Sequence, residues 1–283
     1  MPRRPAFDRL AGAGVLLGCL LASACGKDSY FTDPAPPTTQ VEYGEGVEVV
    51  TPTATLVRLF ADFAPESREG HPAIPLQALV GADAVSDPVL YGYRLIGTDG
   101  YYADMPGKRY GDNTWAQLAI GYLDLATLRV VFATEQDPML RKGHNVKWLI
   151  RVDVLRSIDV VWDDGRRLVP VAEVAAETVP EGFPEAGASG SLLTAIILDG
   201  APRELVPEDH LYRVIARDGS ELPRLLTWEE ASSAWYLHAS DRVVLREALG
   251  PAYQLILPRA VRIEGGVDRP AASAPAHQPS RAS

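Results

Sequence analysis

Cysteine is nearly absent: the 283 residues hold only Cys19 and Cys25. Beyond position 25 the chain therefore offers no disulfide and no thiolate for a metal. Lysine is scarce as well, with four residues against 23 arginines. Acids outnumber bases 37 to 27, a formal net charge of −10. That balance disfavours nucleic acid, whose binding depends on Lys and Arg neutralising phosphates. Hydrophobic runs are short too. Leu10 to Ala24 stops at 15 residues, below the roughly 20 that a membrane-spanning helix needs.

Catalytic motifs are also missing. His71, His144, His210, His238 and His277 show no i, i+4 pairing and no metal-ligand pattern with a neighbouring carboxylate. Ser189, in Gly187-Ala188-Ser189-Gly190-Ser191, lacks the glycines two places either side that a nucleophile elbow requires; the stretch reads as a flexible linker. Gly44-Glu45-Gly46 follows no predicted strand, so it is no dinucleotide fingerprint.

What is present begins at the N-terminus. Arg3, Arg4 and Arg9 precede the apolar run, as in a secretory signal peptide. Ala22-Ser23-Ala24-Cys25 then resembles the bacterial lipobox, in which a thiol is acylated and the chain is cut before it. Leu16-Leu17-Gly18-Cys19 is a weaker match, and ordinary cleavage after Ala24 is the alternative. The expectation is a signal peptide over 1–24, a lipidated Cys25 and a tether over 25–47. Its Gly26, where enteric inner-membrane lipoproteins carry Asp, favours an outer membrane facing the periplasm. Loss of residues 1–24 removes three Arg and Asp8 and leaves 24 bases against 36 acids. A tail rich in Ala, Ser and Pro, 267–283, reads as disordered.

The middle of the chain resembles itself. Tyr93-Arg94-Leu95-Ile96-Gly97-Thr98-Asp99-Gly100 aligns with Tyr212-Arg213-Val214-Ile215-Ala216-Arg217-Asp218-Gly219. Thr114-Trp115 aligns with Thr227-Trp228, Arg129-Val130-Val131-Phe132 with Arg242-Val243-Val244-Leu245, and Leu56-Val57 with Leu168-Val169. Segments that match in order point to two diverged copies of one α+β domain, 48–158 and 159–266. Short β-branched runs such as Tyr91 to Ile96, Leu128 to Phe132 and Asn145 to Leu155 predict strands. Thr114 to Leu125 and Thr227 to Tyr236 predict short helices with Thr as N-cap. Asp163-Asp164-Gly165-Arg166-Arg167 predicts a solvated hairpin tip.

One known family resembles part of this pattern. Ile74 to Val80, YRLIGTDGYYADMP (Tyr93 to Pro106), LRVVF (Leu128 to Phe132) and NVKWLIRVDVL (Asn145 to Leu155) are similar to the later part of the molybdopterin-binding domain of sulfite-oxidase-type oxidoreductases. The resemblance implies a sulfite-oxidase-like fold and a candidate cleft at Asp99, Tyr101, Arg129, Lys147 and Trp148. It departs from the family in lacking the cysteine that binds molybdenum, and in Ala119 to Leu125, which replaces an Asn-Gly and Pro-rich stretch. The expectation is a non-catalytic binding protein with no metal and no cofactor, taking an envelope protein partner or a small ligand. The alternative is a redox-associated protein that still binds molybdopterin or serves a molybdoenzyme. Tyr91, Tyr93, Tyr101, Tyr102 and Tyr110, with Trp115, cluster closely; core packing explains at least the alternate ones, and a partner surface is the alternative.

Overall fold

Why one strand organises the fold is visible in its sequence, Leu149-Ile-Arg-Val-Asp-Val-Leu-Arg-Ser-Ile-Asp-Val-Val-Trp162. Its first half buries alternate residues, as a strand with one covered face does, whereas Ser157 to Val160 are buried without interruption. The computed structural model describes residues 41–104, 111–183, 185–245 and 255–265. The stretch read as a signal peptide, Cys25, most of the expected tether, Tyr110 and the expected tail lie outside them.

The chain is mixed α+β, mostly strands with a few short helices, in several sheets. The strands are β1 (Gly46–Val50), β2 (Thr55–Leu59), β3 (Glu66–Arg68), β4 (His71–Pro75), β5 (Tyr91–Gly97), β6 (Gly121–Asp124), β7 (Arg129–Phe132) and β8 (Leu149–Trp162). They continue as β9 (Gly165–Pro170), β10 (Glu177–Thr178), β11 (Ser189–Leu192), β12 (Leu211–Ala216), β13 (Trp235–Leu237), β14 (Arg242–Val244), β15 (Leu255–Ile256) and β16 (Pro258–Glu264). The helices are α1 (Leu76–Val80), α2 (Trp115–Leu118), α3 (Leu193–Gly200) and α4 (Trp228–Ala231).

The first half of β8 lies between β1, parallel with Val49 beside Val152, and β5, antiparallel with Tyr93 beside Val154. Its second half lies between β16, parallel with Val160 beside Val261, and β9, antiparallel with Val160 beside Arg167. Read across, one set runs β5-β8-β1-β2 and the other β12-β16-β8-β9. Two smaller sheets run β3-β4-β6-β7 and β10-β11-β13-β14-β15. A core cluster containing Val47, Leu76 and Tyr93 serves the first set. Another containing Leu193, Tyr212 and Val261 serves the second. The expected boundary at 158/159 falls inside β8, which belongs to both sets.

Local detail corresponds too. Tyr93 and Tyr212 are fully buried, and their hydroxyls donate to Pro88 O (2.9 Å) and Pro207 O (2.8 Å). Trp115 and Trp228 lie tilted against them at centroid distances of 5.4 and 5.6 Å. Leu128 and Asp241, which precede β7 and β14, both have positive φ (51° and 50°), as do Trp148 and Leu257 (53° each).

Three expectations need correction. The helix read over 114–125 ends at Leu118, and Gly121–Asp124 is strand β6. Gly121 is needed there because a Cβ would come within 2.5 Å of the Phe132 ring and 2.7 Å of Leu76. Leu123 then turns wholly into the core. The helix read over 227–236 likewise ends at Ala231, before β13. The stretch around Ser189 is strand β11, paired with β10 and β13, and not a linker.

Candidate functional site

The β5 strand ends at Gly97, where its register with β8 shifts, and passes into the turn Thr98-Asp99-Gly100. Gly100 takes a φ of 76° that other residues adopt at a cost. Asp99 Oδ1 accepts from the Tyr101 N–H (3.1 Å), which holds the turn closed. The Tyr101 hydroxyl donates to Gly143 O (2.7 Å), drawing in the single helical turn Lys142–His144. Arg129 opens β7 directly opposite Lys147, in an antiparallel bridge. Asn145 Oδ1 accepts from the Phe132 N–H (3.3 Å) and fastens the segment between them.

These segments surround a cleft of about 280 Å³ lined by Asp99, Tyr101, Arg129, Lys142, Asn145 and Lys147. Of the five residues expected there, four line it. Trp148 does not: it stands beside the cleft, 45% exposed, its carbonyl accepting from the Thr98 N–H (3.1 Å). Lys142, outside every segment singled out, and Asn145, the first residue of one of them, were not anticipated. Three cations face one carboxylate. Arg129, Lys142 and Lys147 form no ion pair among the described residues. Like charges placed opposite one another on strands destabilise, so the arrangement is poised for an anion. The corresponding Arg242 of β14 differs, since its guanidinium is taken by Glu185.

A second polar cluster lies between the two strand sets. Arg94 forks onto the buried Asp112, with Nε to Oδ1 and Nη2 to Oδ2 both at 3.0 Å, and also reaches Glu173 (2.5 Å). The Tyr102 ring lies 4.8 Å from its Cζ. Burial works against the Arg94 charge, but Asp112 and Glu173 outweigh it and hold its pKa above the ordinary value. Burial pushes the Asp112 carboxyl up to about 6 despite the pull of Arg94. Arg167 meets Asp104 at 2.9 Å, so the expected solvated tip is open only at Asp163 and Asp164.

The described tyrosines of the segment follow the core-packing reading. Tyr93 is core, and Tyr91, Tyr101 and Tyr102 are half-buried. His71 Nδ1 lies 3.1 Å from Asp124 Oδ2. Burial raises the Asp124 pKa, yet hydrogen bonds from His71, Thr127 and the Ala126 N–H outweigh it and hold the carboxyl below its usual range. His144 is buried and His210 bonds Val206 O at 2.9 Å; His277 is outside the described residues. A Ser–His pair that the sequence did not announce joins Ser191 Oγ to His238 Nε2 at 2.9 Å. Ser191 is completely buried, out of reach of any substrate, and burial lowers the His238 pKa. Among the described residues no group of three or more His, Cys, Asp or Glu is arranged to hold a metal.

Compared with protein-family models, curated proteins and solved structures, the chain matches none.

Proposed function

We propose that this chain is an exported lipoprotein of a bacterial cell envelope, anchored through Cys25, whose folded part is a non-catalytic binding module. The ligand, a small molecule or a segment of an envelope partner, occupies the cleft between Asp99 and Lys147. The observation that carries this reading is the set of cations around that cleft, Arg129, Lys142 and Lys147, which form no ion pair among the described residues. The absence of cysteine after position 25 supports the non-catalytic part, because molybdenum in the resembling family takes a protein thiolate and neither carboxylate nor imidazole is an equivalent soft ligand. A second reading rests on the same cleft. The segments that surround it are those that resemble the family's pterin-side motifs, and a pterin can be held by hydrogen bonds and charge alone.

We also infer that the two strand sets are diverged copies of one sulfite-oxidase-like unit that share β8. The matching strand orders, the two buried Tyr–Pro hydrogen bonds and the paired positive-φ residues support it. Amide contacts in NMR spectra between 159–161 and 260–262, alongside those between 48–50 and 151–153, are expected; loss of the first set alone refutes the shared-strand reading.

Native mass spectrometry on protein from its own host tests the cleft. A small-molecule adduct is expected on the wild type and absent from Arg129→Ala/Lys147→Ala, with thermal melting unchanged. Molybdenum near one atom per chain would overturn the non-catalytic reading. For the anchor, Cys25→Ala should abolish labelling by a fatty-acid analogue, whereas Cys19→Ala should not.

A further inference from the structure

A different cleft, of about 250 Å³, opens where the β8–β9 hairpin meets the end of α3. Arg141, Arg166, Arg167 and Arg203 line it, with Glu204 the only acid. Asp159 and Asp104 neutralise two of these guanidiniums, so the positive charge left to the cleft sits on Arg141 and Arg203, with Glu204 beside them. Two of the four are held in place. Arg166 forks onto the buried Asp159 through Nε and Nη2, and Arg167 is fixed by Asp104 through Nη2. Each guanidinium carries five N–H donors, so both keep donors in hand. Arg141 and Arg203 have no carboxylate partner among the described residues; the Arg141 guanidinium bonds only backbone carbonyls. Arg167 Nε is buried, with no acceptor among the described residues.

The remaining wall is flat and apolar. Trp162 lies against Gly165, where a Cβ would come within 2.3 Å of the indole, so the ring is held beside the arginines. The volume, just below the usual 300–1,000 Å³ of ligand pockets, suits a small ligand. Rigid guanidinium forks suit carboxylate and phosphate, and indole faces suit planar groups.

We propose that this cleft binds a small organic anion, a carboxylate or phosphate monoester carried on a flat apolar body. The site is separate from the cleft at Asp99 and does not depend on it.

Isothermal titration of the full mature protein in detergent, with phenyl phosphate and benzoate as probes, tests the proposal. One saturable site is expected, with benzyl alcohol inactive and inorganic phosphate several-fold weaker. Arg141→Ala and Arg203→Ala should each weaken phenyl phosphate about tenfold, the usual scale for a charged hydrogen bond. Both residues are exposed, so the fold is expected to survive, as a thermal melt would verify. Arg129→Ala, in the other cleft, should leave this binding unchanged. Absence of saturable binding, wild-type affinity in both arginine variants, or binding only to vesicles of anionic phospholipid would each overturn the proposal.

Discussion

At the scale of single residues, Asp112 carries the most unusual balance of forces. Its carboxylate is buried against Arg94, yet desolvation sets its pKa at about 6, above the ordinary 3.8. A raised carboxylate pKa means the folded chain binds the proton more tightly than the unfolded one. This group therefore makes the fold more stable as pH falls from about 6 towards about 4, and less stable above that window. Asp112→Asn should remove that component. The change in unfolding free energy between about pH 7 and about pH 4.5 should then differ from wild type by on the order of 1–2 kcal/mol in urea titrations. An unchanged difference would show that Arg94 fully compensates the burial. None of this was legible in the sequence, because Arg94 and Glu173 are 79 positions apart. Asp99, Tyr101, Arg129 and Lys147 were named in advance only because their segments resemble those of a known family.

Among the elements, α2 and α4 are a single turn each and depend on their caps. In both, the N-cap Thr accepts from the N–H three residues on, and Gln117 or Glu230 reaches back to the Thr N–H. Thr114→Ala and Thr227→Ala should each cost about 1 kcal/mol in chemical denaturation. The two boxes differ in titration. Burial raises the Glu230 pKa, but the Thr227 N–H and Arg224 outweigh it and hold it below the ordinary 4.5. A depressed pKa contributes stability above the ordinary value and loses it as pH falls below. Glu230→Gln should therefore flatten the stability curve under about pH 4.5, as Gln117 already does for α2; a curve as steep as wild type would refute the role given to this side chain. The caps were readable from Thr-Trp alone. The helix ends were not, because Gly121–Asp124 is drawn into a strand by pairing with β4, which comes from elsewhere in the chain.

For the whole molecule, β8 makes the two strand sets one folding unit. Arg156, near its middle, binds Asp241 through Nε (2.9 Å) and Nη2 (2.8 Å), Pro258 O (2.6 Å) and Leu90 O (3.2 Å). It thus joins both sets, and the Tyr236 hydroxyl donates to the same Asp241 at 2.6 Å. Scanning calorimetry should show one cooperative transition for the folded part. Arg156→Ala should lower stability by about 1–2 kcal/mol, since it leaves the Pro258 and Leu90 carbonyls without this donor and Asp241 with the Tyr236 hydroxyl, without splitting the peak. Two peaks of similar size in the wild type would contradict a shared strand.

The sequence by itself determined the short strand-forming runs, the Thr-capped turns, the self-similar segments and the lack of thiolate ligands, because each is written in neighbouring residues or in plain composition. Only the tertiary structure decided that one strand serves both sets, that Arg166 and Arg167 are ion-paired in place of standing in solvent, and that Arg129, Lys142 and Lys147 face one cleft. Those outcomes depend on burial and on partners far away along the chain. Whether a guanidinium meets a carboxylate, a carbonyl or nothing is settled by three-dimensional packing, and local pattern carries no record of it.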